Sequence, residues 1–181
     1  AFIRKYGLQV QEVPQAYTIN LFLMGGVDAA SAMWYNEYHS ILNAGLDADE
    51  LTVFFFSEHG LNFPEDGIYC LRSTWEKDPA AAAAFVRASL DGWEYAFAHQ
   101  DEALEIVLRA MQQAHVPANR GHQRWMLARM QDLIVSGSAV SGAGRLNKED
   151  YLRTAAELQQ AGLLSRLPEF GSFHIPARDQ P

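Results

Sequence analysis

Residues 25–45 read GGVDAASAMWYNEYHSILNAG, and the fold turns on how they are read. The glycine pair stops whatever precedes it. Residues 30–35 then form an apolar run ending on Trp34 and Tyr35, and Asn36 with Glu37 opens a helix through Ile41 and Leu42 to Gly45. An apolar run that leads straight into a capped helix is the first half of a strand–helix–strand unit. Residues 51–56, with Val53 and three consecutive phenylalanines, supply the second half. Upstream, residues 10–13 alternate like a short strand, Pro14 breaks it, and residues 15–24 read as a short helix. Strand, helix, strand, helix, strand predicts an α/β fold with a parallel sheet, whose ligand crevices lie off the carboxyl ends of the strands. Trp34 to Glu37 and Ser57-Glu58-His59-Gly60 both fall at such ends. A further short strand is expected over 67–71.

From residue 78 onward the pattern becomes helical. Asp78 before Pro79 is an N-cap followed by proline at the first helical position, and the alanine run carries that helix toward His99. Residues 101–114 place Leu104, Val107, Leu108 and Met111 on one face, and residues 119–135 form a third helix. A Ser/Gly loop is expected over 137–144, then a helix over 151–160 behind a capping pattern of Asn147 and Asp150, then an irregular tail from 168. At the other end, residues 2–6 before Gly7 read as the last turn of a helix, so the chain is expected to start inside an element.

Bulk properties narrow the function classes. Fourteen basic residues stand against 22 acidic ones, a formal charge of −8, which is the wrong sign for a nucleic-acid interface. No apolar run approaches the roughly 18 residues of a membrane span. Cys70 is alone, which excludes an internal disulfide, a Cys-x-x-Cys pair and a cysteine zinc site. The six histidines include no His-Glu-x-x-His or His-x-x-x-His pair, so ligand spacing predicts no metal site. Gly25-Gly26 and Gly142-Ala143-Gly144 match neither phosphate-loop nor dinucleotide fingerprint and read as turns. No Gly-x-Ser-x-Gly elbow exists, and the serines of 136–141 have no His or acid nearby in sequence. No catalytic residue, metal or cofactor is therefore assigned.

Trp34 to Tyr38 admits two readings. Rings can stack on a flat, nitrogen-bearing ligand while Glu37 accepts hydrogen bonds from its amino groups. Equally, Trp34 and Tyr35 can be core while Asn36 and Glu37 merely cap a helix, where a carboxylate suits the dipole. The residues alone divide evenly between the two. Residues 57–60 are better read as a solvated loop than as a cleft edge. Trp93, Tyr95, Phe97, Trp125 and Met126 read as helix packing.

The segments GGVDAASAMWYNEY, SEHGLNFPEDGIYC, AAFVRASLDGWEYAFAHQDEALEIV and NRGHQRWMLARM together resemble the NMT1/THI5-like family, from Phe2 to about Phe173. Within it the resemblance is to substrate-binding proteins of ABC transporters, of the ThiY type that takes up thiamine pyrimidine precursors. It implies the two-lobed type II periplasmic binding protein fold, with this chain a C-terminal fragment lacking the start of the first lobe. Residues 1–55 would be most of the second lobe, and 56–181 the crossover with the helix-rich remainder of the first. The implied ligand-binding residues are Trp34, Asn36, Glu37 and Tyr38. The implied partners are a pyrimidine-like small molecule and a transporter permease, and the implied location is periplasmic or extracytoplasmic, lipid-anchored or not. Yeast-type members instead are cytoplasmic enzymes that make the pyrimidine from their own histidine and bound pyridoxal phosphate. Those carry a cysteine-rich motif, which Cys70 does not match. A sensory ligand-binding module of a signalling protein is the third alternative.

Overall fold

A computed structural model describes residues 1–135 and 144–176. Its elements in chain order are α1 (Phe2–Tyr6), α2 (Asn20–Leu23), α3 (Glu37–Asn43), α4 (Arg72–Lys77), α5 (Pro79–Ala98), α6 (Gln100–Gln113), α7 (Arg120–Ile134), α8 (Lys148–Gln160) and α9 (Phe170–Phe173), with short 3₁₀ turns at Ala48–Glu50 and Phe56–His59. The chain divides into two compact units. Unit 1 comprises Ala1–Val10, Phe54–Asp91 and Gly142–Pro181, and unit 2 comprises Gln11–Val53 and Gly92–Ser141.

The helices form where capping chemistry and propensity coincide. Asp78 Oδ1 accepts the Ala81 N–H at 2.9 Å and starts α5, Asn119 Oδ1 accepts the His122 N–H at 3.0 Å and starts α7, and Asn147 Oδ1 accepts the Glu149 N–H at 2.8 Å and starts α8. Gly7, at φ 60°, turns the chain out of α1 in the left-handed conformation that glycine adopts without strain. Two short helices were not expected: α4, and α9 within the region read as an irregular tail.

The strands are the main correction. None of the segments 10–13, 30–35, 51–56 and 67–71 is a strand, and no strand occurs among the described residues, so the α/β expectation is not met there. These segments carry the right side chains, but a ladder needs a neighbour to take its N–H and C=O groups, and a parallel strand must be covered on both faces. In 51–56 and 67–71 large side chains are left uncovered, Phe54 59% exposed, Tyr69 74% and Leu71 73%, while in 30–35 Trp34 packs on other rings rather than on a neighbouring strand. The helix expected over 15–24 shrinks to the single turn of α2. The Ser/Gly loop of 137–144 lies outside the described residues apart from Gly144, and so does the tail beyond 176.

In unit 1, Phe2 stacks on Phe56 at 5.3 Å and meets His59 edge-on at 5.1 Å, while Tyr6 hydroxyl bonds His59 Nδ1 at 2.6 Å. His59 is thus packed among rings of its own unit. Arg4 pairs with Glu157, and Tyr151, buried between Phe170 and Phe173, donates its hydroxyl to the Pro168 carbonyl at 2.7 Å. In unit 2, α7 packs against both α6 and α3. Ile19, Ile41 of α3, Phe97 of α5 and Leu104 of α6 are the buried large apolar residues described in this unit, while Val107 of the expected α6 face is exposed.

Candidate functional site

Asn36 and Glu37 form a tight local turn at the start of α3. The Met33 N–H donates to Glu37 Oε2 at 2.9 Å, and the Asn36 amide donates to Glu37 Oε1 at 3.2 Å. Both carboxylate oxygens are therefore engaged by the chain's own donors. Asn36 stands at the N-cap position, but its side chain makes no cap bond; its oxygen instead lies 3.0 Å from His122 Nε2 on α7.

The expected ring slot is filled from within. Trp34 packs on Tyr38 with centroids 4.6 Å apart, and Trp125 of α7 meets Trp34 edge to face at 5.5 Å and 65°. Trp125 Nε1 donates to the Trp34 carbonyl at 3.1 Å, and its ring stacks on His39 at 4.7 Å and 16°. On its other contacts, the Arg129 guanidinium sits 4.9 Å from the Trp125 ring centre and 5.9 Å from that of Trp34, a cation–π arrangement. Arg129 Nε lies 2.9 Å from Asp132 Oδ2, yet its N–H misses the carboxylate, so the contact is an ion pair without a hydrogen bond. The four sequence-predicted residues do come together, all half-buried, as the base of a polar and aromatic contact between α3 and α7.

Two histidines 83 positions apart complete the contact. His39 Nδ1 lies 2.9 Å from His122 Nδ1, and the Asn43 amide lies 3.1 Å from the same His39 atom. Partial burial lowers the His39 pKa from its ordinary 6.5, and the neighbouring His122 lowers it further, because both penalise the charged ring. Beside the pair opens a cleft of about 410 Å³, with Asn20, Ser40, Asn43, Asn119 and His122 as its polar lining and Ile19, Leu23 and Ala44 as its apolar lining. It is shallow and largely open to solvent, Trp34, Asn36, Glu37 and Tyr38 are not in its lining, and its wall offers amides, a hydroxyl and an imidazole but no charged side chain. A smaller cavity of about 130 Å³ lies behind Val13, Phe22 and Val27; it contains no titratable side chain. Among the described residues no three of His, Cys, Asp and Glu gather as metal ligands.

Sequence reasoning missed His39, His122 and Arg129 and assigned Trp125 to packing. The available signal was spacing: His122, Trp125 and Arg129 stand at i, i+3 and i+7 on α7, and His39 and Asn43 at i and i+4 on α3, each set on one helical face.

The family model for NMT1/THI5-like proteins matches residues 1–103. The chain belongs to the NMT1/THI5-like family. The match contains Trp34, Asn36, Glu37 and Tyr38 and stops short of α7, so it is narrower than the resemblance read from the sequence, which ran to about Phe173. No curated protein and no solved structure matches the chain. NMT1/THI5-like proteins typically have a periplasmic binding protein fold and are either small-molecule binders or THI5-type proteins. No described helix of this member is long and apolar enough to cross a membrane.

Proposed function

We propose that this NMT1/THI5-like chain is part of a solute-binding protein of an ABC uptake system. Its ligand is a small heteroaromatic compound, a pyrimidine precursor of thiamine, and it works outside the cytoplasm with a transporter permease as partner. The observation that carries the reading is the family match over the segment holding Trp34, Asn36, Glu37 and Tyr38. The cleft beside these residues adds support: its uncharged, amide-rich lining suits a neutral ring with both donors and acceptors. The lobe assignment, 1–55 and 56–181, belongs to the same proposal. On it, two lobes close around the ligand, so binding and closure are coupled equilibria.

Calorimetric titration of the intact protein with a formylated aminopyrimidine tests the reading. Saturable heat with one ligand per chain is expected, and absence of heat would remove the pyrimidine assignment. The family match also favours a THI5-type synthase as a second reading. A yellow protein, absorbing as a pyridoxal aldimine, would select that reading instead.

A further inference from the structure

The hydrogen-bond chain beginning at Glu37 sets the protonation of two histidines. A carboxylate oxygen only accepts, so the Asn36 atom 3.2 Å from Glu37 Oε1 is the amide nitrogen, and the amide oxygen is the atom 3.0 Å from His122 Nε2. That oxygen also only accepts, which places a hydrogen on His122 Nε2. In a neutral imidazole the other nitrogen is then bare. His122 Nδ1 lies 2.9 Å from His39 Nδ1, a separation at which two bare lone pairs would repel, so His39 Nδ1 carries the hydrogen and donates it. His39 Nε2 is left bare. The structure places the Asn43 amide nitrogen 3.1 Å from His39 Nδ1, so this assignment requires the Asn43 amide to make a half-turn about its last bond, which brings its oxygen to the same N–H.

We propose that Glu37 is a positioning residue: acting through Asn36, it holds His122 as the Nε2–H form and His39 as the Nδ1–H form, and so fixes which ring nitrogens donate and which accept where α3 meets α7. The tautomers belong to the free protein, so this inference stands apart from the ligand-binding reading; the Glu37 carboxylate, held by Met33 and Asn36, organises the contact between α3 and α7.

The isosteric substitution Glu37→Gln reverses the chain. Glutamine has one acceptor oxygen, which the Met33 N–H takes, leaving its amide nitrogen toward Asn36. Asn36 then turns over and presents its nitrogen to His122 Nε2, which must become bare. His122 becomes Nδ1–H, donates to His39 Nδ1, and leaves His39 as Nε2–H. Long-range ¹H–¹⁵N correlation of the histidine rings in the intact protein, above the pH range in which they titrate, reads all four nitrogens directly. The expected result is Nε2–H on His122 and Nδ1–H on His39 in the wild type, with both reversed in Glu37→Gln. Nδ1–H on His122 in the wild type, or tautomers unmoved in a folded Glu37→Gln, would overturn the proposal.

Should Glu37→Gln fail to fold, Asn36→Ala cuts the chain while sparing the Met33–Glu37 bond. His122 is then expected to relax to a mixture of forms, and a wild-type pattern would overturn the relay. Expected tautomers with no heat in the calorimetric titration of the wild type would support the relay and overturn the ligand-binding reading.

Discussion

At the scale of single residues, the contact between α3 and α7 makes His39 a source of acid sensitivity. Its pKa is lowered in the folded state by burial and then by His122, so below its ordinary value of 6.5 the unfolded chain binds more protons than the folded one. Stability is therefore expected to fall as pH drops through 6.5 toward the lowered value, and to be unaffected by this group at higher pH. The other ionisable groups of this contact are Glu37 and Tyr38 on α3 and His122, Arg129 and Asp132 on α7. Urea unfolding across a pH series checks the sign: His39→Gln should flatten the fall, and an unchanged slope would contradict it. Trp125 carries a separable contribution. Trp125→Phe keeps an aromatic ring in place but removes the Nε1 bond to the Trp34 carbonyl, and should cost about 1 kcal/mol in the same measurement. That Trp34, Asn36, Glu37 and Tyr38 cluster was legible in the sequence, because they are neighbours in it. The histidine pair was not, because nothing local relates position 39 to position 122 until α3 and α7 pack.

At the scale of elements, caps and periodicity were legible and pairing was not. Asp78-Pro79 and Asn147 each mark a helix start that the structure realises with a side-chain bond, and Asn119, read only as the first residue of its helix, caps α7 in the same way. Asn119→Ala and Asn147→Ala should each cost about 1 kcal/mol. Asn36→Ala removes no cap bond, because the Asn36 side chain is directed to Glu37 and His122, so its loss should instead register as weaker contact between α3 and α7. Guanidinium unfolding of the three variants, with the helical signal followed alongside tryptophan fluorescence, separates the two effects. The segments 51–56 and 67–71 have strand composition, but composition cannot supply the neighbouring backbone that a strand requires. Hydrogen exchange in the intact protein should therefore find their amides unprotected while those of α6 and α7 are retained.

At the scale of the whole molecule, the family was legible from stretches of the chain even though the strands of its typical fold do not occur among the described residues. Sequence motifs record the residues that a family shares, whereas a sheet depends on strands that lie far apart in the chain. The described residues bury few large side chains completely and leave Phe54, Tyr69 and Leu71 open to water, an arrangement in which apolar strand-like segments are present but unpaired. The central claim is that this NMT1/THI5-like chain binds a small heteroaromatic ligand at the wall built by α3 and the start of α7. Hydrogen exchange read by mass spectrometry, on the intact protein with and without a formylated aminopyrimidine, tests it most directly. The account expects added protection in the peptides that contain Ser40, Asn43 and His122; a saturating ligand that leaves those peptides unchanged would contradict it.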